Sequence, residues 1–207
     1  MVDERELIRR SRRKDQQAFE MLVGLKRALA FRIAFNIVGD EDDAKDVAQM
    51  SFIRLWSVID SFDENSRFDP WFYRIVVNLA IDFYRNRQRG PRPVGSPESR
   101  GSSDSGGRSD HDDDVAAALP ALAMPGADAE VMRAELRRVF NEIAVELAPA
   151  QRAVFSLKEI EGVATDDIAK IMGIKASTVR NHLLAARRVL QDGLRRRYPE
   201  YFRGSKK

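Results

Sequence analysis

Apolar residues recur along this chain at three- and four-residue spacing, in runs separated by polar turns, and that period is helical. Phe19, Leu22, Val23, Leu29, Ile33 and Ile37 form a first stripe that stops at Gly39. A second runs through Ala44, Val47, Ala48, Phe52 and Leu55, and a third through Phe72, Ile75, Val76, Leu79 and Phe83. The third opens on Asp69-Pro70, a side-chain acceptor followed by the residue best tolerated in a first helical turn, which predicts an N-cap at Asp69. Later, Met132, Leu136, Val139, Ile143 and Leu147 repeat the period, with further helices predicted after Pro149, after Thr165 and around Ser177. No stretch alternates apolar and polar residues as a half-buried strand does. The pattern predicts an all-α protein.

The helical period breaks once for a long interval. From Gly90 to Gly126 the text is rich in Gly, Pro and Ser and holds almost no bulky side chain before Leu119. Such a stretch buries too little apolar surface to offset the entropy of ordering it. The chain is therefore read as two small helical domains, residues 1–89 and 128–198, joined by a flexible linker over 90–127. The linker carries a net charge of −3, and two readings of it stand side by side. It is a solvated spacer, or it is a functional tether that swings one domain against the other or mimics nucleic acid through Asp112, Asp113 and Asp114. Its short apolar segment, Val115 to Met124, is a candidate docking strip.

Composition narrows the chemistry. Lys and Arg number 35 against 32 Asp and Glu, a net charge of only +3, but the two signs are segregated along the chain. Cysteine is absent, which excludes disulfides and thiolate metal sites. His111 and His182 are the only histidines, so neither a metal centre nor a catalytic residue is expected, and no cofactor. The one dense carboxylate run, Asp112 to Asp114, lies in the linker, which leaves metal-assisted nucleic-acid processing without a framework. No apolar run reaches the ~20 residues of a membrane span. The first residues are charged throughout and lack the apolar core of a signal peptide, so a cytoplasmic protein with no membrane insertion is expected.

The sharpest local pattern is Thr165–Leu190. Thr165 is a good N-cap, and Asp166 and Asp167 suit the positive end of a helix. Ile168, Ala169 and Met172 give a short apolar face, and Gly173 supplies the left-handed residue that ends it. Ile174 then plugs the space before a second helix that turns Val179, Leu183, Ala186 and Leu190 inward. This is a helix-turn-helix. The opposite face of its second helix offers Ser177, Thr178, Arg180, Asn181 and Leu184 for base edges, with Arg187 and Arg188 one turn on for phosphates. His182 lies beside that face, where plain solvent exposure is expected. The basic end of the chain suits non-specific phosphate attraction.

A helix-turn-helix alone would fit many transcriptional regulators. The stretch Ser61–Arg89 separates them, because it interleaves aromatics with arginines. Aromatic faces stack unpaired bases and guanidinium groups track the backbone beside them, which is single-strand chemistry. Phe72 and Phe83 belong to the core stripe. Phe62, Phe68 and Trp71 stand at a loop–helix junction, where stacking on bases and simple packing compete as explanations.

The sequence resembles the extracytoplasmic-function group of bacterial sigma-70-type sigma factors, in both helical blocks and in the same order. Asp15–Val23 is similar to the opening of that family's region two. Asp42–Trp56 resembles the helix its members press against the clamp of the largest polymerase subunit. Phe68–Arg85 resembles the part that melts and reads the minus-ten element, and Leu147–Leu190 is similar to region four, which reads the minus-thirty-five element. The resemblance implies that Asp43, Asp46, Gln49 and Arg54 meet the clamp. It implies that Phe62, Arg67, Phe68, Trp71, Arg74, Asn78 and Arg85 serve the minus-ten single strand, the 62–68 loop capturing a flipped base. Ser177, Arg180 and Asn181 match positions that meet minus-thirty-five bases. The family usually has Glu where this chain has Met50, and often a basic or aromatic pair where it has Leu184 and Ala185. The implied partners are core RNA polymerase (clamp, and flap of the second-largest subunit), promoter DNA and an anti-sigma factor that holds the chain inactive until a stress signal. The alternative is a two-domain helix-turn-helix regulator that binds its operator without polymerase.

Overall fold

The first three helices begin where a short acid can satisfy free backbone N–H groups. Asp3 accepts from the N–H of Arg5 at 3.1 Å, Asp15 from Ala18 at 3.1 Å, and Asp40 from Asp42 and Asp43 at 3.1 and 3.0 Å. These caps start α1 (Glu4–Arg12), α2 (Gln16–Val38) and α3 (Glu41–Val58) in the computed structural model, which describes residues 3–89 and 142–199, the side chains of 88 and 89 excepted. α2 stops at Gly39, whose φ of 80° is left-handed, as the stripe ending there predicts. A single 3-10 turn, Ile59–Ser61, and the loop 62–67 lead into α4 (Phe68–Arg89). Asp69 is thus not the N-cap but the first-turn acid of α4; Phe68 already belongs to the helix.

The second block holds α5 (Pro149–Phe155), which runs into a π-helical turn, Ser156–Ile160, then α6 (Thr165–Met172) and α7 (Ala176–Arg197). Here the caps differ from expectation. Thr165 is the first helical residue and Ala164 occupies the cap with no side-chain bond. At α5 the Gln151 side chain accepts from the N–H of Ala148 at 3.1 Å, the backward half of a capping box. Gly173 ends α6 at a φ of 67° as predicted. Among the described residues there is no strand, in keeping with the all-α expectation. Of the stripe Met132–Leu147, only Ile143 and Leu147 lie within the described residues, and both are buried. The linker 90–127 with His111, Asp112–Asp114 and Val115–Met124 lies outside them.

In the first block α1 to α4 close over Leu7, Leu22, Ile33, Ile37, Val47, Leu55, Ile59, Phe72 and Val76, all without solvent exposure. Each such side chain contributes roughly 1.5–3 kcal/mol of apolar burial. In the second block Val179, Leu183, Ala186 and Leu190 turn inward as predicted, against Leu157, Ile168 and Ile171. Ile174 packs half-buried against this core.

The two blocks are docked on one another, α2 and α4 receiving α5, the π-turn and α6. Arg32 of α2 donates Nε and Nη2 to the Glu161 carboxylate at 2.6 and 2.7 Å. Asn36 donates to Ser156 Oγ at 3.0 Å inside the seam. Arg67, in the loop before α4, reaches Asp167 of α6 at 3.2 Å. At the centre lies Arg152, only 1% exposed, with its guanidinium 5.5 Å from the ring of Tyr84. Gly39 makes room for it: a Cβ there would lie 2.7 Å from Nη2. Nε and Nη2 of Arg152 are buried without a hydrogen-bond partner. Burial pulls its pKa below the ordinary value, partly offset by Tyr84.

Candidate nucleic-acid interface

Helical geometry gathers much of the proposed single-strand set on one line. At 100° per residue, Trp71, Arg74, Asn78 and Arg85 fall within about 60° of one another on α4. Arg74, Asn78 and Arg85 are exposed and Trp71 is half-buried. Arg67 is exposed at the end of the loop, though it is tied to Asp167. Phe62 and Phe68 are a correction to the stacking expectation: they are 3% and 7% exposed. Their rings meet edge-on at 5.4 Å, Phe62 tilts against Trp71 at 5.0 Å, and Phe68 stacks on Phe72 at 5.9 Å. The apolar core under the loop takes both faces, so packing wins over stacking at these two positions.

The loop itself is held from within by Asp63. Its carboxylate accepts from the N–H of Asn65 at 3.0 Å and from Ser66 Oγ at 3.2 Å, and the Asn65 N–H above all holds its pKa below the usual carboxylate value. This Asx turn presents Asn65, Ser66 and Arg67 outward.

On α7 the outward face is as predicted for Ser177, Arg180, Asn181 and Arg188, all exposed, with Thr178 and Leu184 half-buried beside them. Arg187 is different. Its Nη2 is 2.9 Å from the Glu159 carboxylate of the π-turn, so it braces the helix-turn-helix instead of standing free for phosphate. His182 is half-buried rather than exposed, and that burial lowers its pKa.

On α3, Asp46, Gln49 and Arg54 are exposed, whereas Asp43 is turned back and ion-paired with Arg87 of α4. The feature missed in the sequence is the apolar groove between α2 and α3, about 1020 Å³ in volume. Phe19, Val23, Phe31, Phe52, Ile53 and Trp56 line it and Gln49 stands among them. Phe19 and Val23, on the first apolar stripe, are half-buried and form its wall. The available signal was Ile53, an apolar residue off the α3 stripe and 64% exposed. No group of three His, Asp or Glu among the described residues is placed to hold a metal ion, and no described helix is long and apolar enough to cross a membrane.

Comparison with known proteins bears on these surfaces. Residues 22–90 match the family Sigma-70 region 2, and residues 137–190 match Sigma-70, region 4. The ECF RNA polymerase sigma factor SigW of Bacillus subtilis is 31% identical over 189 residues, 91% of this chain and 95% of that protein. The RNA polymerase sigma-H factor of Pseudomonas aeruginosa is 28% identical, over 92% of this chain and 93% of its own length. In fold, the chain resembles CnrH, solved in complex with the cytosolic domain of CnrY, with a TM-score of 0.59 at 24% identity over 92% of this chain and 96% of that one. It also resembles the Bartonella quintana sigma factor RpoE, solved with the anti-sigma factor NepR, with a TM-score of 0.57 at 21% identity over 86% and 96%. Two region matches in the right order, and a relative alike along nearly its whole length, make this chain a member of the extracytoplasmic-function group of sigma-70-type RNA polymerase sigma factors.

Proposed function

We propose that residues 1–89 bind core polymerase and open the minus-ten element, and that residues 128–198 read the minus-thirty-five element. The observation that carries this is the outward face of α7, where Ser177, Arg180, Asn181 and Arg188 stand exposed on a helix-turn-helix whose inner face is sealed. Amide and guanidinium groups there match the edges of adenine and guanine in a major groove. Arg67, Trp71, Arg74, Asn78 and Arg85 provide the single-strand track, with Phe62 and Phe68 as its foundation. The α2–α3 groove is an apolar slot suited to a helix of the polymerase clamp, with Asp46, Gln49 and Arg54 beside it; region four takes the flap of the second-largest subunit. The chain contributes specificity and no chemistry of its own, and acts in the cytoplasm.

The docked blocks bear on how it is used. Minus-ten and minus-thirty-five elements lie about 25 base pairs apart, about 85 Å at ~3.4 Å per pair. Arg67 and Asp167, one on each block, are 3.2 Å apart. Both elements are engaged only after the seam parts, and the docked form is the resting one. An anti-sigma factor, the kind of partner with which the Bartonella relative was solved, would keep the chain in that state until a stress signal releases it. Run-off transcription with core polymerase, with start sites mapped across genomic templates, tests the reading. Discrete new start sites are expected. Transcription no more specific than core alone, or tight promoter binding without polymerase, overturns it.

A further inference from the structure

The helix α1 lies outside the region-two match, which begins at residue 22, yet it grips both ends of the loop that leads into α4. At the near end, Arg12 pairs with Glu64 and donates Nη2 to the carbonyl of Asp60 at 3.3 Å. At the far end the grip is indirect and runs through Lys26 of α2. This lysine is 7% exposed, and its Nζ lies 2.8 Å from Glu4 Oε1 in the first turn of α1 and 2.6 Å from Asp69 Oδ1 in the first turn of α4. The same ammonium lies 5.8 Å from the Phe68 ring centroid. Burial pushes the Lys26 pKa down, but the bonds to Asp69 and Glu4 outweigh it and the net direction is up, so the site holds a cation.

Two carboxylates drawn to two helix N-termini meet here, and Lys26 pairs with both at close range. Both lie within 3 Å of one nitrogen, so without it they would face each other across less than about 6 Å and repel. The start of α4, and with it Arg67 and Trp71, would then lose its fixed distance from α1. A cavity of about 680 Å³ separates α1 from the loop, lined by Glu4, Glu6 and Ile8 on one side and Phe62, Ser66 and Arg67 on the other. Its width is set by the two grips.

We infer that α1 is a positioning element for the minus-ten loop and that Lys26 is the positioning residue through which it holds the start of α4. The inference rests on the reading of this loop as the single-strand element. Buried as it is, Lys26 reaches no DNA, so its effect on promoter opening is felt only through where Arg67 and Trp71 stand.

The test uses holoenzyme carrying Lys26→Met, Lys26→Arg or Glu4→Gln. Binding is measured to a fork-junction DNA with a single-stranded minus-ten segment, and separately to a duplex bearing only the minus-thirty-five element. Lys26→Met is expected to weaken fork binding about tenfold or more, as small misplacements of a reactive constellation do, while duplex binding and core affinity stay at the wild-type level. The slope of log K against log salt falls by no more than about one, the share of a displaced Arg67, because Lys26 itself touches no phosphate. Lys26→Arg restores most of the affinity, and Glu4→Gln, half-exposed and mild for folding, reproduces a part of the loss. Wild-type fork binding by both Lys26→Met and Glu4→Gln overturns the inference. So does a loss that comes with a salt slope shallower by about two or more, or one that extends to the duplex for both variants. If Arg67→Ala and Trp71→Ala weaken fork binding while the Lys26 and Glu4 variants do not, only the positioning role fails. If wild-type holoenzyme shows no preference for the fork, the reading of the loop fails instead.

Discussion

Replacing Arg152 with methionine is expected to tighten the docking of the two blocks. Arg152 is 1% exposed, and its Nε and Nη2 have no acceptor. Each orphaned donor costs about 1–3 kcal/mol. Against this stands the Tyr84 ring at 5.5 Å, a cation–π contact contributing about 1–2 kcal/mol in a desolvated site. Methionine keeps most of the apolar stem and removes the charge, so the docked state gains about 1–4 kcal/mol, the range found when buried charges give way to apolar residues. That is from about fivefold to nearly a thousandfold in the docking equilibrium. The chain has no cysteine, so Arg13→Cys and Asp192→Cys, both at exposed positions, accept a donor and an acceptor dye at these sites alone. Energy transfer between them, followed through a urea titration, should persist to higher urea in Arg152→Met than in the parent, and run-off transcription should fall. Loss of transfer at lower urea than the parent would refute the reasoning, because it would mean that the guanidinium holds the seam together.

Other substitutions give opposite or separate signatures. Glu161→Gln removes a carboxylate whose side chain is 5% exposed from its bidentate arginine; since Arg32 is half-exposed, about 1–3 kcal/mol of docking should be lost, read as reduced energy transfer in the same labelled chain. Because burial lowers the His182 pKa, the folded domain binds this proton less readily than the unfolded chain. Its stability should therefore be full above the unfolded value near 6.5 and fall as the pH drops below it, a slope that His182→Gln should remove in urea unfolding at pH 5 and pH 8. Asn181→Ala and Arg180→Ala should each cost about 1–3 kcal/mol on the preferred minus-thirty-five sequence and flatten discrimination between bases. Arg188→Ala should weaken all sequences alike and lower the salt slope by about one, measured by holoenzyme binding at several ionic strengths.

Most of the fold was legible because its helices are individually amphipathic. Gly39 and Gly173 were readable as stops, since left-handed backbone strongly favours glycine, and the inward set Val179, Leu183, Ala186 and Leu190 followed from the period alone. The misses share a physical origin: they depend on partners distant in sequence. Phe62 and Phe68 look like stacking platforms until α4 and the 3-10 turn close around them. Asp43 looks like a free surface acid until α4 brings Arg87 to it, and Arg187 looks like a phosphate ligand until the π-turn presents Glu159. Periodicity assigns a residue to a face but does not say which face meets another helix at an angle that leaves a gap. That is why Phe19 and Val23 read as core while lining the groove. The docking seam was invisible for the same reason, with Arg32 and Glu161 separated by 129 positions.

Beside the apolar residues that continue the core from one block to the other, the closed seam hides polar groups: Arg152, Asn36, Ser156 and Glu161. When it parts, water meets groups that it solvates well, and Nε and Nη2 of Arg152 regain the hydration that they lacked. A joint lined with leucine would expose a sticky patch at each opening and invite neighbouring chains to occupy it. On the proposed cycle of parting and closing, the polar share of this joint leaves less apolar surface for neighbouring chains to occupy at each opening.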